Sequence, residues 1–204
     1  MAKKLEKIPE WLIAALQGLT FWIGYKRAMY RDYPLSEGAL VTELRSLLHA
    51  NLPDRLFLKC EVGYSKLVKG ERPKPISGQV RADFVVVSEV EEQNSRNNWK
   101  YLPEFVFELK RAEAKEFLID KDLARLAAFQ SARKGARAFL IVLSEVDRHD
   151  RFVNEKGVTN VGWHEVKGFS GAYKIRRTVK AAYAFTNKDS GNYATMVEVI
   201  ADGS

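Results

Sequence analysis

The chain has 204 residues, with 33 Lys+Arg against 26 Asp+Glu, a net charge of +7 and a pI near 9.4. It is long enough for one domain with its own core, and its charge favours a polyanionic partner, nucleic acid or an acidic membrane surface. Hydrophobic and charged fractions of 46% and 29% exclude a disordered chain, and the single cysteine, Cys60, excludes an intramolecular disulfide, so a reducing, cytoplasmic setting is the simplest expectation.

In chain order, the first feature is the apolar run from Trp11 to Tyr25, which follows Lys3, Lys4 and Lys7. Gln17 and Thr20 interrupt it and Lys26 and Arg27 close it, short of the roughly 20 apolar residues that a membrane span needs. It lacks the small-residue cleavage site of a signal peptide. A packed helix is predicted from Glu10 to about Arg31, with Pro9 at its start, Gly18 and Gly24 weakening it and Tyr33-Pro34 ending it. An interfacial anchor or a subunit contact is the alternative use of this apolar surface. A second helix is predicted from Ser36, a suitable N-cap, to about Asn51, with Leu40, Leu44, Leu47 and Leu48 as its stripe and Glu43 at the stripe's border.

Leu56 to Tyr64 reads as a strand. The loop after it, Ser65 to Gly78, carries Lys66, Lys69, Arg72 and Lys74, and is either merely solvated or a clamp for a phosphate backbone. A second strand, Gln79 to Val87, and a third, Pro103 to Lys110, are separated by the polar stretch Ser88 to Leu102, read as a long hairpin loop. A helix is expected from about Ile119 to Lys134, with Ile119, Leu123, Leu126 and Ala127 buried, Arg133 and Lys134 in its last turn and Gly135 as its C-cap. Ala136 to Leu143 is apolar throughout, as a central strand covered on both faces would be, and a right-handed crossover would make it parallel to the third strand. Val158 to Val166 is a further candidate strand. Tyr173 to Phe185 and Tyr193 to Ile200 read as a hairpin that could extend the sheet, dimerise or bind substrate through Arg176, Arg177 and Lys180.

Two of these strands carry charge where a buried strand should least tolerate it. Glu108 and Lys110 share one face of the third strand, and Asp83 shares a face with Val85 and Val87 on the second. An antiparallel register that sets Asp83 beside Glu108 puts Val87 opposite Glu104 and crowds two carboxylates and an ammonium together. Paired carboxylates repel unless a cation lies between them, and hard divalent ions prefer oxygen ligands. No other chemistry competes. His49, His149 and His164 are scattered, Ser88, Ser144 and Cys60 have no nucleophile context, and there is no GxxxxGK[ST] or GxGxxG phosphate loop.

The arrangement of Asp83 followed by Glu108-Leu109-Lys110 resembles the PD-(D/E)xK nuclease superfamily, with Ala82 in place of the proline. The resemblance implies an α/β, restriction-endonuclease-like αβββαβ core with a mixed central sheet over residues 35–145. An N-terminal helix at 1–34 and a β-rich extension at 146–204 would complete a single domain. It also implies Mg²⁺ or Mn²⁺ held by Asp83, Glu108 and the Leu109 carbonyl. Glu43 is either a solvated glutamate paired with a nearby Arg or Lys or, as the resemblance implies, extends the site through a water or toward a second ion, and Lys110 would orient the attacking water with its pKa depressed by the metal. Lys66, Lys69, Arg72, Lys74, Arg81 and Arg111 form the expected nucleic-acid-binding set, and Gln130 lines the site's edge or sits capped at the surface. The implied activity is a DNA endonuclease of restriction, anti-phage defence or repair type acting on double-stranded DNA, with a homodimer where both strands are cut. The rival readings are a catalytically inactive nucleic-acid-binding module of the same fold, and a membrane- or partner-binding protein acting through its N-terminal helix.

Overall fold

The structure, a computed structural model, describes residues 5–29, 35–68, 70–88, 102–145, 148–182 and 191–201. Its strands are β1 (Leu56–Gly63), β2 (Arg81–Ser88), β3 (Leu102–Arg111), β4 (Arg137–Ser144), β5 (Trp163–Glu165), β6 (Gly171–Ala182) and β7 (Gly191–Ala201). They form one mixed sheet in the order β1-β2-β3-β4-β7-β6-β5, in which only β3 and β4 run parallel. The C-terminal hairpin therefore continues the sheet: β7 pairs with β4 and leaves the apolar run of β4 enclosed between two neighbours. The fold is α/β, and the parallel β3/β4 pair is the one the crossover rule predicts.

Alternation along the strands divides the core in two. Val106, Leu140, Val142 and Val197 face α4 (Glu116–Ala132), which covers them with Ile119, Leu123 and Leu126. Phe107, Phe139, Ile141 and Met196 face the opposite side, under α1 (Glu10–Met29) and α2 (Glu37–Asn51). The apolar N-terminal run is thus a packed helix whose Leu12, Leu16, Leu19 and Ile23 are fully buried. No helix among the described residues is long and apolar enough to cross a membrane. Gly18 has a packing reason: a Cβ there would stand 2.9 Å from Leu47 Cδ2, so its absence lets α1 and α2 approach closely. Ser36 caps α2 as expected, its Oγ accepting the Ala39 N–H at 3.2 Å.

Several boundaries differ from the sequence reading. α4 starts three residues early and ends at Ala132, where Arg133 leaves helical geometry at φ −139°. Arg133 and Lys134 thus lie beyond the last turn, and Gly135 does not take the left-handed conformation of a C-cap. The 158–166 strand shrinks to Trp163–Glu165, because residues 153–160 fold on themselves through a Val153–Thr159 bridge. The basic segment after β1 is packed: it holds one helical turn, α3 (Tyr64–Leu67), and a 3₁₀ turn at Lys74–Ile76, and buries Leu67, Val68 and Ile76. Residues 31–34, the bulk of the 88–102 loop and the β6–β7 turn lie outside the described residues.

Candidate active site

β2 and β3 pair with Phe84 opposite Phe107 and Val86 opposite Phe105, the register that carries Asp83, one step on, across from Glu108. A bulge after Val86 then shifts Val87 opposite Pro103, not Glu104 as expected. Proline has no N–H to give to a regular ladder, which accounts for an irregularity there. The Leu109 N–H donates to Asp83 Oδ2 at 2.7 Å and ties the two strands together at the site.

Each charged group has a distinct setting. Glu108 is 2% exposed, and its Oε1 accepts the Tyr64 hydroxyl at 2.7 Å. Burial holds its carboxyl well above the ordinary value, the charges of Asp122 and Asp83 push the same way, and the Tyr64 hydrogen bond and Arg125 oppose them. Asp83 is raised too, first by burial, against the pull of the Leu109 N–H and Lys110. The Lys110 ammonium stands 3.0 Å from Asp122 Oδ2, 3.1 Å from the Leu109 carbonyl oxygen and 3.8 Å from Glu37 Oε1. Burial alone would depress it. Asp122, by charge and hydrogen bond, with Asp83 and Glu37, instead holds it above the ordinary lysine value. Asp122 is 1% exposed and takes Arg125 Nη1 at 2.7 Å from its other side. On β1, the pairs Cys60–Phe84 and Val62–Ala82 leave Glu61 facing Asp83 at φ +52°. It is the one left-handed non-glycine among the described residues.

The structure therefore gathers Asp83, Glu108, Lys110 and the Leu109 carbonyl. The inner stripe of α2 packs on the aromatic side of the sheet, and among the described residues no side-chain hydrogen bond or ion pair joins Glu43 to this group. The α2 glutamate that approaches Lys110 is Glu37, in the first turn, where the helix comes close to the end of β3. Arg111 turns to the face opposite Lys110, with Nη2 2.9 Å from Glu145, Nη1 2.6 Å from the Leu35 carbonyl and Nε 3.2 Å from Glu113. Glu145, itself buried, also binds Arg27 of α1 at 3.1 Å, so Arg111 belongs to a strut between α1, β3 and β4. Lys66 and Lys74 are exposed and Arg72 half-buried on the segment that carries Tyr64, and Arg81 is exposed at the start of β2; Lys69 lies outside the described residues. Gln130 neither lines the site nor sits at the surface: it is buried, and its Oε1 accepts the Ala201 N–H at 2.8 Å. His149 accepts the Arg151 N–H and His164 stacks on Tyr173, both local packing roles.

Tyr64, Asp122, Arg125 and Glu37 were not singled out from sequence. Asp122 had a signal: it lies three residues after Ile119 and four before Leu126, inside the stripe that faces the sheet. The others touch the site only through tertiary contacts.

Among the described residues no three His, Cys, Asp or Glu side chains are grouped as a ready-made metal cage. The donors at the β2/β3 end nonetheless fit a hard divalent ion. Two carboxylates face each other there in a buried setting that raises both, and the adjacent Leu109 carbonyl already draws a cation, the Lys110 ammonium. No family model, curated protein or solved structure matches this chain.

Proposed function

We propose that the protein is a metal-dependent nuclease of PD-(D/E)xK type that hydrolyses phosphodiester bonds of nucleic acid, with double-stranded DNA as its substrate. The observation that carries this reading is the meeting of Asp83, Glu108 and Lys110 at the adjoining ends of two inner strands, with Tyr64 of the basic segment bonded to Glu108. The element order α2-β1-β2-β3-α4-β4, with helices on opposite faces of the sheet, supports a restriction-endonuclease-like core.

Asp83, Glu108 and the Leu109 carbonyl would hold Mg²⁺ or Mn²⁺. Bound there, the ion offsets the charge of the scissile phosphate and acidifies a water. Tyr64 fixes the Glu108 carboxylate by its hydroxyl, and the Leu109 N–H fixes that of Asp83. Lys110, 17% exposed at its side chain, reaches the mouth of the site, where its ammonium orients the attacking water and compensates charge building on the phosphate. Lys66, Arg72, Lys74 and Arg81 take the phosphate backbone on the approach. In-line attack leaves 5′-phosphate and 3′-hydroxyl ends.

The test is a cleavage panel of linear, circular, single-stranded and branched substrates with Mg²⁺, Mn²⁺ or EDTA. Metal-dependent cleavage is expected in the parent and its loss in Asp83→Ala, Glu108→Ala and Lys110→Ala, each still folded by circular dichroism. Cleavage by Asp83→Ala at the parental rate overturns the assignment.

A further inference from the structure

The mechanism above leaves Asp122 unused, although it is the most deeply buried of the charged side chains around the site. It interrupts the apolar stripe of α4, where stability alone would favour a residue like its neighbours Ile119 and Leu126. We propose that Asp122 is a positioning residue whose carboxylate holds the Lys110 ammonium away from Asp83 and Glu108, keeping those two acids open for a divalent ion. The inference rests on the reading of Asp83 and Glu108 as a cation site.

Lys110 leaves β3 on the same face as Glu108, about 6–7 Å further along the strand, and Asp83 lies across from Glu108. A four-carbon stem spans that distance, so the ammonium has a choice of carboxylates. The structure shows which it takes: its ion pairs are to Asp122 at 3.0 Å and Glu37 at 3.8 Å, and neither Asp83 nor Glu108 is among them. Asp122 competes well because it is fixed. Its helix is packed on the sheet through Ile119, Leu123 and Leu126, and Arg125 grips its other oxygen at 2.7 Å. Remove that charge and, beside the half-exposed Glu37, the carboxylates left within reach of the ammonium are the two acids proposed to bind metal. An ion pair there would put the protein's own cation in the metal's place.

The experiment is Mn²⁺ binding to the full chain, followed by electron paramagnetic resonance, in the parent, Asp122→Asn and the double variant Lys110→Met/Asp122→Asn. A crystal structure of Asp122→Asn without divalent ions accompanies it. Asp122→Asn is expected to weaken Mn²⁺ binding by about ten- to hundredfold. The double variant, which has no ammonium to compete, should return to within about twofold of the parent. In the crystal Lys110 Nζ should bond Asp83 or Glu108. Unchanged Mn²⁺ affinity in Asp122→Asn, no recovery in the double variant, or an ammonium still on the Leu109 carbonyl overturns the inference and leaves the cation site standing. A parent that binds no Mn²⁺ overturns the cation site itself, and this inference with it. If Asp122→Asn does not fold, Asp122→Glu keeps the charge and should retain parental affinity; a tenfold loss in folded Asp122→Glu overturns the inference.

Discussion

Tyr64→Phe removes one oxygen from a fully buried ring and changes the surroundings of one carboxyl, that of Glu108. The 2.7 Å bond from the hydroxyl stabilises the charged form of Glu108 against burial and against the charges of Asp122 and Asp83. The size of the loss should therefore depend on pH. At low pH, with Glu108 protonated, the bond joins neutral groups and its removal should destabilise by about 1 kcal/mol; once Glu108 is ionised the loss should grow to about 2–3 kcal/mol, since a hydrogen bond to a buried charge is worth more than one between neutral groups. Because Glu108 titrates well above the ordinary carboxyl value, the increase should come on the alkaline side of that value. The assay is urea denaturation of parent and variant from about pH 5 to about pH 9, where the linkage slope reports the difference in bound protons. Mn²⁺ titrations alongside should show the variant needing a higher pH for the same affinity, because metal binding displaces protons from its ligands. A difference that is flat with pH, or a variant as stable as the parent throughout, would refute this account of Glu108.

Compared with Glu108→Gln, the parent without divalent ions should lose stability as pH rises above the ordinary carboxyl value, since the folded state keeps a proton that the unfolded chain releases, and Mn²⁺ should reverse the trend. Urea midpoints that rise together in both proteins would contradict it. Glu145→Ala leaves the Arg27 and Arg111 guanidinia without their shared buried carboxylate and should destabilise by about 3–5 kcal/mol; a loss under about 1 kcal/mol would remove the strut's structural role. Among the basic residues, Lys66→Ala, Lys74→Ala and Arg81→Ala should each reduce the salt slope of nucleic-acid binding by about 1 in fluorescence anisotropy. Arg111→Ala, engaged with Glu145 on the other face, should leave that slope unchanged while lowering stability.

What sequence could reveal here was governed by how local each cause is. Period-2 patterning placed the strands, and the conflict between apolar runs and the charges at Asp83, Glu108 and Lys110 located the site, because a strand's two faces follow from the backbone alone. Glu37 could not be picked out as the α2 glutamate that pairs with Lys110, because reaching Lys110 depends on where the helix end lies over the sheet, which no spacing within the helix encodes. Arg111 looked like part of the site because it adjoins Lys110, yet one step along a strand reverses the face and carried it to Glu145. Gly135 was a plausible cap by composition, but the helix had already ended three residues before it, at Ala132.

Two of the buried ionic clusters then separate by charge. On the α1 side, Glu145 lies between Arg27 and Arg111, so burial raises its carboxyl while both neighbouring cations pull it down. That is a closed arrangement, and rigidity accounts for it. On the α4 side, Asp83, Glu108 and Asp122 face Lys110 and Arg125, with Glu37 and Glu61 adding negative charge around the edge. Lys110 is pulled up by the acids around it, while Asp83 and Glu108 are raised first by burial and then by neighbouring carboxylates, so acids outnumber the cations in this group. A protein selected only for stability would replace such a group with apolar side chains or supply the missing cation from its own sequence. Perturbed acids kept at the meeting of two inner strands are what the proposed cation site would require, and titrating Mn²⁺ into the protein tests whether a divalent ion supplies the remaining charge.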